Sequence, residues 1–138
     1  FLNGLYNSSL HLGDTILEPK NMDEDSLRTF DRIIADIPIN VSDFVYQKVY
    51  EKDVFNRFQY GKPSRNSSFG FVQHVLASMN QNGKAVLMLN KSTLYSSGSD
   101  SQIRSQLVAL DKIEKIIQLP AGILEISNIE PVIFVLNN

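Results

Sequence analysis

The second half of the chain permits few folds, because its apolar residues alternate between helical and strand spacing, punctuated by turn-formers and prolines. Val72, Val75, Leu76 and Met79 fall at i, i+3, i+4 and i+7, the stripe of a helix lying on a core. Asn80-Gln81-Asn82-Gly83 follows as a turn, with Gly83 available for a left-handed conformation. Lys84 to Leu89 is too continuously apolar for an exposed edge and predicts a strand buried on both faces. Ser99-Asp100-Ser101-Gln102 has capping-box spacing, with Ser99 at the cap, and Ile103, Leu107 and Leu110 repeat behind it at helical spacing. Ile113 to Leu119 predicts a strand stopped by Pro120, and Val132 to Leu136, after Pro131, the last strand.

The first half is less regular. Phe30 to Asp36 is a short apolar run whose Ile pair predicts a buried strand, closed by Ile37-Pro38 because proline cannot donate to a ladder. Leu10 to Ile16 predicts a short strand running into a turn at Gly13-Asp14, and Pro19 to Ser26 a loop. Between Asn40 and Asn66 the scattered apolar spacing fits one short helix, and Phe58 to Ser68 predicts a long loop of the kind that often carries function. Strands alternating with helices predict a layered α/β sheet with parallel crossovers. The last two strands are joined by about a dozen residues without a convincing helix, which leaves them free to pair antiparallel.

At 138 residues and 43% hydrophobic, the chain suits a single domain spanning 1–138 with an ordinary core. A net charge of −2 argues against a stand-alone basic nucleic-acid binder, so any DNA contact needs a local patch or basic surface on another subunit. The absence of cysteine excludes disulfides and thiolate sites and fits a reducing cytoplasm. With only His11 and His74, a histidine-built metal site is not expected. No run approaches the roughly 20 apolar residues of a membrane span. Phe1-Leu2-Asn3-Gly4, without an initiator Met or a signal pattern, reads like a cut inside a longer protein. Neither G-x-G-x-x-G nor a P-loop is present.

Taken alone, the polar residues have ordinary readings. Asp36 reads as a polar strand end, Asp14 as a turn-former, and His74 as a helix residue leaning away from the apolar stripe. Arg57, Lys62 and Arg65 form a small basic loop, solvated or facing DNA.

Several segments change that reading when taken in order. They are His11-Leu12-Gly13-Asp14-Thr15, Phe30 to Ile39, Arg57-Phe58-Gln59-Tyr60-Gly61, Phe71-Val72-Gln73-His74, Gly83-Lys84-Ala85, Ile103-Arg104 and Ile117-Gln118-Leu119-Pro120. Together they resemble the N6-adenine DNA methyltransferase domain in the modification subunit of type I restriction–modification systems, over nearly the full length. The resemblance implies a Rossmann-like S-adenosylmethionine-dependent sheet, mostly parallel with a C-terminal antiparallel strand, whose N-terminal strands and glycine-rich donor loop precede Phe1. It implies methyl transfer to adenine in DNA, with DNA-specificity and restriction subunits as partners. A sheet lacking its first strands would leave the Phe30–Asp36 edge bare and open to self-association.

By the same resemblance, Asp36 and Pro38 orient the target amine, Ile39, Arg57 and Lys62 contact substrate, and Asp14 touches the cofactor. The family's Asn-Pro-Pro-Phe stands here as Asp36-Ile37-Pro38-Ile39. Ile39 has no π face for a flipped base, which removes something like 1–3 kcal/mol of stacking. The expectation is a degenerate copy, inactive as these residues alone, with a non-catalytic module that assembles with a specificity subunit as the alternative.

Overall fold

The structure, a computed structural model, describes residue 4 and residues 8–38, 46–124 and 129–138. In chain order its elements are β1 (Met22–Asp23), β2 (Ser26–Leu27), β3 (Phe30–Asp36), α1 (Tyr46–Glu51), α2 (Phe69–Ala77), β4 (Met79–Asn90), α3 (Ser99–Ala109), β5 (Ile113–Gln118) and β6 (Pro131–Asn137), with a 3₁₀ turn at Lys91–Leu94. The apolar runs of β3, β4, β5 and β6 form one sheet in the order β3-β4-β6-β5. β3 lies parallel to β4, with Arg32 opposite Lys84 and Asp36 opposite Met88. β6 runs antiparallel to β4 and to β5, so three strands share a direction and the C-terminal strand opposes them.

Helix α2 connects β3 to β4, and α3 leads from β4 towards β5. Their stripes close one core: Val72 and Leu76 of α2 and Ile103 and Leu107 of α3 cluster with Ala85, Leu87 and Leu89 of β4 and Val132, Phe134 and Leu136 of β6. Each such side chain larger than alanine contributes roughly 1.5–3 kcal/mol on burial. The hairpin β1–β2 and helix α1 are peripheral. Tyr50 of α1 lies so close to Gly70 that a Cβ there would overlap its hydroxyl, so α1 can seat on α2 only over a glycine.

Several expectations are corrected. β4 is buried on one face only: Ala85, Leu87 and Leu89 point into the core, while Val86 on the other face is 39% exposed. The run was continuous because the second face is also apolar, and there Met88 is half-buried while Val86 is exposed. The Asn80–Gly83 turn exists, but as a bulge inside β4 between the Met79 and Lys84 pairings, and Gly83 has no positive φ. Glycine is needed there because a Cβ would come within 2.9 Å of the Asn80 carbonyl. Gly98, at φ 66, holds the N-cap of α3, so Ser99 is already helical and caps nothing. Leu110 is 56% exposed because α3 ends before it. Leu10 to Ile16 forms no strand, and Pro19 to Ser26 holds the small hairpin rather than plain loop.

Candidate functional site

The carboxyl end of β3 is set by two neighbouring residues of opposite fate. Ile37 is buried, and its N–H donates to the Met88 carbonyl at 3.1 Å, carrying the β3–β4 ladder one residue past the strand. Asp36 falls on the opposite face and is exposed, and Pro38, also exposed, ends the ladder. Ile39 lies outside the described residues. Asp36 stands at the carboxyl tip of β3, an edge strand of this sheet, as a sheet without its first strands implies. The depression it shares with Ile37, Met88, Asn90, Leu124 and Ile129 has a volume of about 10 Å³, room for hardly one water.

Asp14 does more than end a loop. Its Oδ1 accepts the N–H groups of Ile16 at 2.9 Å and Leu17 at 3.0 Å, and its Oδ2 accepts the Tyr46 hydroxyl at 2.7 Å. Both carboxylate oxygens are therefore engaged within the chain, stabilising a single helical turn closed by the Glu18 N–H on the Asp14 carbonyl.

Arg57 is not on a basic surface. Its side chain is 2% exposed and paired with Asp53, with Nε at 2.8 Å and Nη2 at 2.7 Å from Oδ1. Phe55 and Phe58 flank the guanidinium, with ring centroids 5.4 and 5.0 Å away. The remaining donors reach the Ile16 carbonyl at 3.0 Å, the Thr15 carbonyl at 3.4 Å and His74 Nδ1 at 3.2 Å. A guanidinium held this way has no donor to offer a phosphate, which corrects the expectation that Arg57 contacts DNA. Burial, reinforced by the Arg57 charge and only partly offset by Asp53, pushes His74 down to about 4. Its imidazole is thus neutral at physiological pH and accepts from Arg57 at Nδ1.

The residue before His74, Gln73, is fully buried. Its Oε1 accepts the Tyr60 N–H at 3.0 Å and its Nε2 donates to the Gly61 carbonyl at 2.9 Å. Gly61 sits at φ 123, a backbone that only glycine adopts cheaply. The Arg57–Gly61 and Gln73–His74 segments, far apart in sequence, thus form one clasp that fixes the long loop against α2 and ties both to the Asp14 turn. Lys62 remains exposed, ion-paired with Glu51 at 2.6 Å, and its bond and charge hold the Glu51 carboxyl below its ordinary range.

Reading the sequence alone missed a polar cavity of about 470 Å³ at the carboxyl end of β4. Ser64, Arg65, Ser68, Asn90, Tyr95 and Asp100 are among its lining residues. Asn90 also borders the Asp36 depression, so the two hollows adjoin. The only sequence signal was the density of hydroxyl residues at 64–68 and 92–96. Among the described residues no cluster of three His, Asp or Glu is placed to hold a metal, and no helix is long and apolar enough to cross a membrane.

Comparison with known proteins bears on these features. The sequence model of the family described as N-6 DNA Methylase matches residues 2–138. The type I restriction enzyme HindI methylase subunit of Haemophilus influenzae is 25% identical over 134 residues, which is 96% of this chain and 29% of that protein. The crystal structure of a type I restriction-modification system methyltransferase subunit from Streptococcus thermophilus matches with a TM-score of 0.80 at 24% identity, over 96% of this chain and 28% of that one. A putative class I S-adenosylmethionine-dependent methyltransferase from Listeria monocytogenes matches with a TM-score of 0.60 at 13% identity, over 81% of this chain and 32% of that one. The structural likenesses establish a methyltransferase sheet, and the chain spans less than a third of each relative's length.

Proposed function

The chain belongs to the N-6 DNA methylase family, and from that premise we propose that it forms the target-strand side of a type I modification subunit. The complete subunit would transfer a methyl group from S-adenosylmethionine to adenine N6 in DNA, working in the cytoplasm with specificity and restriction subunits. The observation that carries this reading is the placement of Asp36 and Pro38 at the exposed carboxyl end of β3, where the family sequence carries its catalytic tetrapeptide. There Asp36 accepts a hydrogen bond from the adenine amino group and Pro38 stiffens the turn. Lys62, exposed beyond the loop clasp, serves as a phosphate contact once released from Glu51.

The donor side is a different matter. Asp14, the residue matching the cofactor contact, has both oxygens engaged by its own turn and Tyr46. The seven glycines of the chain never fall two apart, so these residues do not build a glycine-rich cradle. They do not by themselves fit S-adenosylmethionine, and the 138-residue chain is expected to transfer no methyl group. The test is incorporation of labelled methyl into an adenine-containing duplex. Background counts are expected from the 138-residue chain, and N6-methyladenine from a protein extended to the length of its relatives. Turnover by the chain alone overturns the assignment of an acceptor side only.

A second reading, a non-catalytic module that assembles with a specificity subunit, is favoured by Ile37. Where the family has proline, Ile37 is buried and donates to Met88, so the tip is held as a strand extension. Ile37→Pro with Ile39→Phe in the extended protein separates the two. Methylation already present without the change sinks the non-catalytic reading, and methylation gained with it identifies a decayed enzyme.

A further inference from the structure

Reading the chain as an acceptor side requires room for an adenine lifted out of its duplex, and the Asp36 tip does not supply it. The depression there has a volume of about 10 Å³, and a purine is many times the size of a water. The polar cavity at the carboxyl end of β4, at about 470 Å³, falls within the range of sites that enclose small organic ligands. Asn90 borders both hollows, so the cavity lies beside the strand tip. Two aromatic residues line it. Phe69 is fully buried in the core, whereas Tyr95 is 70% exposed. Among the described residues no other ring packs on Tyr95.

This exposed ring stands on a braced turn. The Asn90 side chain accepts the Ser92 N–H at 2.9 Å and starts the 3₁₀ turn, and the Tyr95 N–H closes it on the Ser92 carbonyl at 3.0 Å. Arg104 of α3 donates to the Thr93 and Ser96 carbonyls, each at 3.1 Å, so the backbone is pinned before and after Tyr95. A ring presented on a fixed backbone loses little freedom when a partner stacks on it. Asp100, buried in the lining, accepts the Ser64 N–H at 2.9 Å and holds a second wall in place. Its charge offsets that of Arg65 in the same lining, so the cavity suits an uncharged polar ring better than a bare phosphate.

We propose that this cavity receives one unpaired base of the DNA strand, and that Tyr95 is its stacking platform, supplying the aromatic face that Ile39 lacks. The inference rests on the acceptor-side reading and adds to it a binding residue outside the tetrapeptide. Amide-resolved NMR titration of the 138-residue chain with a single strand of four deoxyadenosines tests it, with circular dichroism as the check on folding. Shifts are expected at residues 64–68 and 92–96, with a dissociation constant of about a millimolar or below. Tyr95→Ala, a change at an exposed side chain, is expected to keep the fold and weaken binding by about tenfold or more. Tyr95→Phe keeps the ring and is expected to bind like wild type. A strand of four abasic deoxyribose phosphates carries the same charge without bases and is expected to leave these amides unmoved. That comparison needs no substitution, so it holds even where a variant unfolds. Absent shifts at these residues, wild-type binding by folded Tyr95→Ala, or equal binding of the abasic strand would each overturn the proposal. The labelled-methyl assay of the extended protein reads the acceptor-side assignment separately, so failure of the stacking site and failure of that assignment are distinguishable.

Discussion

Breaking the Arg57–Asp53 pair is expected to cost more than any other single change of charge in the chain. The side chains are 2% and 6% exposed, so removing one leaves the other ionised in a site closed to water. For a pair buried to this degree, loss of one partner costs about 3–5 kcal/mol, against 0–1 kcal/mol for an exposed bridge such as Lys62–Glu51. Arg57→Met belongs at the upper end, because it also strips the Thr15 and Ile16 carbonyls and His74 Nδ1 of their donor. Asp53→Asn keeps an acceptor for the Arg57 backbone N–H, now 2.6 Å from Oδ2, and belongs at the lower end. The double variant buries no unpaired charge. It is expected to be more stable than the two single costs added together, by roughly 2–3 kcal/mol of coupling. Urea unfolding monitored by circular dichroism measures all four proteins, provided their m-values agree. Single costs below about 1 kcal/mol, or additive ones, would show that the clasp is solvated and that the buried pairing does not anchor the Asp14 turn.

Other outcomes follow from the same contacts. His74 titrates near 4 when folded against an ordinary 6.5, so the unfolded chain takes up its proton first. The penalty is absent above pH 6.5, grows as pH falls, and is complete below about 4, where at about 1.4 kcal/mol per unit it amounts to roughly 3 kcal/mol. His74→Gln, which can still accept from Arg57, is expected to flatten the stability–pH curve in that window, measured by urea midpoints at successive pH values. Gly70→Ala drives a methyl group into the Tyr50 hydroxyl and is expected to cost about 1–3 kcal/mol with loss of α1, read from thermal unfolding. Gln73→Leu orphans the Tyr60 N–H and the Gly61 carbonyl, an expected loss of about 2–4 kcal/mol. Limited proteolysis should then cut first within residues 58–68.

The sheet could be read from the sequence because its strands and helices obey local rules. Phe30–Asp36 stops where Pro38 removes a donor, and the Val72 stripe buries where a helix must bury it. The errors share one cause, that two competing local signals are indistinguishable without the tertiary neighbour. Ser99 carries capping chemistry, but Gly98 can turn the chain and takes the cap. Arg57 has the charge of a DNA contact, yet only the fold shows that Asp53, Phe55 and Phe58 enclose it. The polar cavity beside Asn90 was invisible for the same reason, since its hydroxyl residues come from segments more than twenty positions apart.

That distinction bears on what the shared motifs mean. The Arg57-Phe58-Gln59-Tyr60-Gly61 and Phe71-Val72-Gln73-His74 segments carry part of the resemblance, and their side chains spend themselves on one another: Arg57 on His74, Gln73 on Tyr60 and Gly61. They hold a loop and a turn in place, and such a clasp can persist whether or not the site it frames still works. The strand tip behaves oppositely. At position 37, where the family motif that the sequence resembles has proline, a buried isoleucine extends the ladder through its N–H, which favours order at the tip. A loop clasp beside a tip tied into the sheet is the arrangement that favours the second, non-catalytic reading over the first. Methylation by the extended protein with Ile37 in place, which the first reading expects, would exclude the second.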